Sequence, residues 1–203
     1  MKVHFGFTFV LITLFFASVF LGYLVSPTPN AYSVFYAPAI TDTGDGALVK
    51  FSVSLIPGNG RTLVNIENVR YRQDTENALV KAKRNAEKIT GVKLTYYDVV
   101  LDVNSIGSEV GGESAGAMFT AGIVSAFTGR MFDSRSTMSA GITENGMLFA
   151  VDGIEEKILA ARNSGKSKFV VSKTQVVKNE DSITGIEIIR VVNVSEAINA
   201  VLS

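Results

Sequence analysis

The sequence predicts an α/β domain of mixed sheet order, on three observations. Ala47, Val49, Phe51, Val53 and Leu55 alternate with neighbours that include Lys50, Ser52 and Ser54, the period of a half-buried strand. Ala78, Leu79, Ala82, Ala86 and Ile89 recur at helical spacing. Further strand-like and helix-like runs are mixed rather than strictly alternating, so a purely parallel sheet is not expected. The 203 residues suffice for one ordinary domain with an appendage, without disulfides.

Taken in order, the chain opens with Phe5 to Val25, 21 positions without a charge. As a helix this run crosses a hydrocarbon core of about 30 Å, and residues 1–25 are expected to form a single transmembrane anchor. A cleaved secretory signal is the alternative, but its apolar region usually runs about 7–15 residues, and the SPTPNAYS that follows is a poor cleavage site. Lys2 precedes the run and no Lys or Arg follows it until Lys50. That asymmetry places the N-terminus in the cytoplasm and the domain outside, or secreted if the signal is removed. Residues 26–44, with Pro27, Pro29 and Pro38, read as an extended linker, which leaves 45–203 for the domain.

Within that domain Pro57-Gly58-Asn59-Gly60 turns the strand, and Thr62 to Ile66 returns as its hairpin partner. Asp74 caps a helix that Gly91 ends. Val99 to Val103 reads as a strand, Asn104 to Gly112 as a loop, and about Ser114 to Thr128 as a helix stopped by Gly129. Strands Ser136–Ile142 and Met147–Val151 flank the Glu144-Asn145-Gly146 turn. Asp152 caps a helix running to about Asn163, Lys168–Val171 and Ile186–Val192 are strands, and Ser195 starts a final helix.

Composition narrows the chemistry. There is no Cys, and His4 is the one histidine. Thiolate nucleophiles, thiolate metal sites and disulfides are excluded, and with His4 before the anchor no histidine serves a site in the domain. Catalysis must run on Ser, Thr, Lys, Tyr, Asp or Glu, and neither a metal nor a cofactor is expected. Nineteen basic side chains against nineteen acidic ones give no basic surplus for nucleic acid. The Lys81, Lys83, Arg84, Lys88 cluster reads as a solvated helix face beside Glu76 and Glu87.

Gly112-Glu113-Ser114-Ala115-Gly116 fits G-x-S-x-G, the nucleophile-elbow string of α/β-hydrolases. No histidine lies downstream, so that triad cannot be built. The string suits either a small-residue helix start packed on a sheet or an exposed serine with backbone N–H groups that hold an oxyanion. After Asp152, Ile154, Lys157, Ile158 and Ala161 share one helix face, which puts a lysine inside the apolar stripe. Such a lysine either snorkels to water or is desolvated. Lowering its pKa from ~10.4 to about 7–8 takes ~4 kcal/mol, within the range of buried lysines, and makes it a general base without histidine. Ser164-Gly165-Lys166-Ser167 is no P-loop, because Ala160 stands where the first glycine belongs. The Asp98/Asp102 and Glu155/Glu156 pairs suit a strand face and a helix start better than glycosidase chemistry. Asn193-Val194-Ser195 is a glycosylation sequon.

GGESAGAMFTAGIVSAFTG and MSAGITENGMLFAVDGIEEKILAARNSG together resemble the proteolytic domain of Lon, a family of Ser-Lys dyad serine proteases. The likeness runs from about Gly46 to the C-terminus, through the PGNGR turn, QDTENALVKAKRNAEK and VVNVSEAINAVL. It implies Ser114 as nucleophile and Lys157, 43 residues later, as general base. It also implies Ser139 as the hydroxyl that orients the dyad, and Gly112, Ser114 and Ala115 as backbone oxyanion donors. Glu113 resembles the acidic residue before the serine in archaeal-type members and is a supporting candidate.

The resemblance implies a stand-alone, ATP-independent endopeptidase acting on unfolded or extended polypeptides, since the 203 residues hold no ATPase module. It further implies a homo-oligomer, by family a hexameric ring, tethered to the membrane through residues 5–25. A non-catalytic Lon-like scaffold is the alternative, against which the intact Ser114, Lys157 and Ser139 argue.

Overall fold

The computed structural model describes residues 31–66, 70–71, 73–104, 109–110 and 112–203. The apolar run 5–25 lies outside them. Among the described residues no helix is long and apolar enough to cross a membrane.

Mixed order is what the sheets show. Strands β1 (Tyr32–Ile40), β2 (Gly46–Pro57), β3 (Thr62–Ile66) and β5 (Tyr97–Asn104) form a four-stranded sheet in the order β1-β2-β5-β3. The β1-β2 and β2-β5 pairs are antiparallel, whereas β3 runs parallel to β5. Short β4 (Arg70–Tyr71) and β6 (Glu109–Val110) pair in parallel, and β6 falls within the Asn104–Gly112 span expected to be loop. Strands β7 (Ser136–Met138), β10 (Lys168–Ser172) and β11 (Glu187–Val191) make a parallel sheet in the order β11-β10-β7, and β8 (Gly141–Ile142) pairs with β9 (Leu148–Phe149). Four helices complete the described fold: α1 (Gln73–Thr90), α2 (Gly116–Thr128), α3 (Ile154–Asn163) and α4 (Val194–Val201).

Two expectations are corrected here. Residues 32–40 of the supposed linker are strand β1, paired with β2 from Tyr32↔Ser54 to Ile40↔Gly46. Ser33, Phe35 and Ala37 are buried on the inner face, and Pro38 is tolerated because β1 is an edge strand. Nor is β3 the hairpin partner of β2. The buried Asp98 carboxylate accepts the backbone N–H groups of Asn59 and Arg61 at 3.0 and 2.9 Å, and the Arg61 guanidinium at 2.8 and 2.5 Å. Those bonds draw the turn onto the start of β5, so β3 continues along the far side of that strand.

The core falls into two clusters. The larger joins the inner face of the four-stranded sheet to α1, α2 and α4, and every residue of α2 from Gly116 to Phe127 is buried. The smaller packs Ile154, Ile158 and Ala161 of α3 against Phe169 and Val171 of β10, with Val177 and Ile186. Asn193 caps α4: its Oδ1 accepts the Glu196 N–H at 3.0 Å, and its Nδ2 donates to the Glu196 carboxylate at 2.7 Å. The nitrogen that glycosylation would modify is thus already engaged.

Candidate active site

The strand expected over Ser136–Ile142 breaks at Ser139 and Ala140, and the break builds the site. Ser139 N–H bonds Val170 O at 3.1 Å, keeping register with β10. The next residue leaves the sheet: Ala140 N–H donates to Ser114 O at 3.0 Å, and Ala117 N–H donates to Ala140 O at 3.3 Å. Ser114 itself rides on a 3₁₀ turn, Glu113–Ala115, that leads into α2. Gly112 precedes it at φ 99°, a conformation that disfavours any residue with a Cβ.

Helix α1 holds this turn from the other side. Asp74 does not act as the expected cap, since α1 already starts at Gln73; its Oδ1 accepts the Gly112 N–H at 3.0 Å. The Gly112 N–H, expected to serve an oxyanion, is therefore directed at Asp74. The N–H groups of Ser114 and Ala115 precede the first bond of the 3₁₀ turn, Gly116 N–H to Glu113 O. Two helical turns beyond Asp74, Lys81 donates to the Glu113 carboxylate at 2.6 Å. Glu113 thus pairs with Lys81 of α1.

Lys157 does not snorkel. It is 5% exposed on the face of α3 that buries Ile154, Ile158 and Ala161, and its Nζ donates to Asp152 O at 2.8 Å. Asp152 contributes that carbonyl, while Gly153, in the left-handed region, takes the cap position expected of Asp152. Burial lowers the lysine pKa to about 8, against the opposing pull of the Asp152 and Glu156 carboxylates. At pH 7.5 roughly a quarter of such an amine is neutral, against roughly a thousandth of an ordinary lysine.

Ser114 and Lys157 line one cleft of about 670 Å³. Asp42, Asp74, Glu113 and Asp152 share its wall with the apolar Ile40, Phe149 and Val151. Ser139 is fully buried and is not among the residues that line the cleft, and its Oγ has no hydrogen-bond partner among the described residues. The Asp98/Asp102 pair is committed elsewhere: Asp98 to the Arg61 turn and Asp102 to Asn65 Nδ2 at 2.8 Å.

Residues 33–203 match the family model of the Lon protease (S16) C-terminal proteolytic domain. The chain belongs to this Lon family. It is 27% identical to Lon protease of Finegoldia magna over 150 residues, covering 72% of this chain and 19% of that protein. Lon protease 2 of Bacillus subtilis is 26% identical over 176 residues, 81% of this chain and 32% of its own length. Lon protease of Mycoplasma pneumoniae is 28% identical over 173 residues, 81% and 22% of the two chains. The chain thus spans about a fifth to a third of the length of these relatives.

The Lon match begins inside β1, in keeping with that strand being part of the domain. A Lon proteolytic domain is a serine peptidase, and this one presents a serine and a buried lysine in a common cleft. Two polar residues of the site, Asp74 and Lys81, went unread as such in the sequence. Their spacing of seven, which puts both on one helix face, is the signal that could have found them.

Proposed function

We propose that this Lon-family domain is a membrane-tethered serine endopeptidase with Ser114 as nucleophile and Lys157 as general base. The observation that carries the reading is the burial of Lys157, with its pKa lowered to about 8, in the wall of the cleft that holds Ser114. Neutral Lys157 takes the Ser114 hydroxyl proton as Oγ attacks the peptide carbonyl. It returns that proton to the leaving amine as the C–N bond breaks, and then activates the water that hydrolyses the acyl-enzyme. Backbone N–H groups of Ser114 and Ala115 stabilise the oxyanion. Ser139, whose buried hydroxyl has a donor and two lone pairs to offer, orients the dyad.

Extended or unfolded polypeptides are the proposed substrates, because a strand lying in the cleft presents its backbone to the walls. Residues 5–25 anchor the domain on the extracytoplasmic side, cleavage needs no ATP, and the protomers form a ring. These four statements rest on the sequence and the resemblance. Ser114→Ala and Lys157→Arg should each abolish cleavage of an unstructured fluorogenic peptide, because guanidinium stays protonated. A serine-reactive fluorophosphonate should label only chains with Ser114. Parental turnover in Lys157→Arg would exclude the dyad, ATP-stimulated turnover would exclude independence, and protection of the domain from protease added to intact cells would exclude the topology.

A further inference from the structure

Gln175 lies in the loop after β10, 18 residues beyond Lys157, and is only 8% exposed. Its carboxamide makes three hydrogen bonds. Oε1 accepts the Val151 N–H at 2.8 Å, while Nε2 donates to Val151 O at 3.1 Å and to Val176 O at 3.2 Å. A side chain here does what a neighbouring strand would do, pairing both backbone groups of Val151, a residue of the cleft wall. Buried amide bonds of this kind cost little to make and much to leave unmade.

The residue after Val151 is Asp152, whose carbonyl receives the Lys157 amine. The same loop reaches α3 twice more. Val177 packs in the small cluster with Ile154 and Ile158, and Lys178 N–H donates to the Glu155 carboxylate at 2.6 Å. Val176, between them, is 74% exposed. Residues 175, 177 and 178 therefore all act on the segment 151–158, and Gln175 is the one that grips its backbone at the start.

We propose that Gln175 is a positioning residue for Lys157, holding the Val151 backbone so that the Asp152 carbonyl stays on the amine and water stays off it. The inference rests on the general-base reading of Lys157. The charged groups that bear on the amine are Asp152 and Glu156 of its own segment. Asp42, Asp74 and the Lys81-paired Glu113 share the same cleft. Gln175 adds no charge to this set, so its influence runs through geometry and hydration.

The test is kcat and KM of the full chain on an unstructured fluorogenic peptide, from about pH 6 to about pH 10, for the parent and Gln175→Met. Met keeps the volume and removes the three bonds. The expected result is a fall in kcat of about 10-fold to 100-fold with KM nearly unchanged. The acid limb of the profile should move to higher pH by roughly half a unit or more, because the loosened wall admits water to an amine depressed mainly by burial. A melting curve checks that the variant is folded. If Met at 175 prevents folding, Gln175→Asn, which keeps the carboxamide but shortens it, carries the same expectations. A limb that stays in place, with or without a fall in kcat, overturns the positioning role. A parent profile with no limb near pH 8, or parental activity in Lys157→Arg, overturns the general-base reading instead.

Discussion

Replacing Lys157 by Met should exchange activity for stability in a pH-dependent way. The folded chain holds the lysine pKa at about 8, against 10.5 for an ordinary lysine. At about 1.4 kcal/mol per unit, this depression sets about 3 kcal/mol against folding while the amine is charged. Below about pH 8 both folded and unfolded chains are protonated there, and the whole cost is present. Between about 8 and 10.5 the unfolded chain binds the proton and the folded chain does not, so stability rises with pH across that window. Met carries no such cost at any pH. Urea unfolding at about pH 7 and about pH 9.5 should show the Met variant's advantage shrinking by about 2 kcal/mol between the two. Loss of the partner of the Asp152 carbonyl affects the variant equally at both values, so the change in the gap is the measure. A gap that does not change with pH would show that the amine is not desolvated in the folded protein.

Two other outcomes follow from ion pairs outside the dyad. Arg61 and the backbone of the turn hold the Asp98 carboxyl at about 2, so the stability it confers above pH 3.8 should drain away as pH falls toward about 2. An acid titration followed by circular dichroism should show that Asp98→Asn, less stable at neutral pH, loses this dependence; an unchanged acid transition counts against the Asp98 role. For the Lys81–Glu113 pair, Lys81→Met and Glu113→Gln should each lower kcat about threefold to tenfold, with the double variant no worse than either. Additive losses would mean that the two side chains act separately.

The legible parts of the fold were those in which polarity tracks burial along one element. Residues 47–55 alternate and are a strand. Ile154, Ile158 and Ala161 mark a stripe that is buried, and Lys157 within it is buried too. Strand β1 escaped because its polarity is blurred: Tyr32 and Tyr36 face solvent while Ser33 faces the core beside Phe35 and Ala37, so apolar residues lie on both faces and no clean alternation marks the strand. The direction of β3 depends on the Asp98 bonds, which span 37 and 39 residues. Of the candidate site, Ser114 and Lys157 were legible as candidates in the motif and the stripe, and the resemblance to Lon joined them as a proposed dyad. The contacts of Asp74, Lys81 and Gln175 were not, because each reaches 24 to 38 residues along the chain to a partner set by tertiary packing.

The division of the core into two clusters has a consequence for how damage to this protein is felt. The proposed nucleophile, Ser114, is moored to the large cluster through α2 and Ala115, and the proposed base, Lys157, to the small one between Ile154 and Ile158. The proposed chemistry therefore straddles a seam between units of unequal size, and the smaller one carries the proposed proton acceptor. A cavity opened at Phe169 or Val171, which pack against α3, should shift Lys157 relative to Ser114 before it unfolds the chain. On the proposed mechanism, loss of turnover and loss of structure become separate events, and the small cluster decides the first.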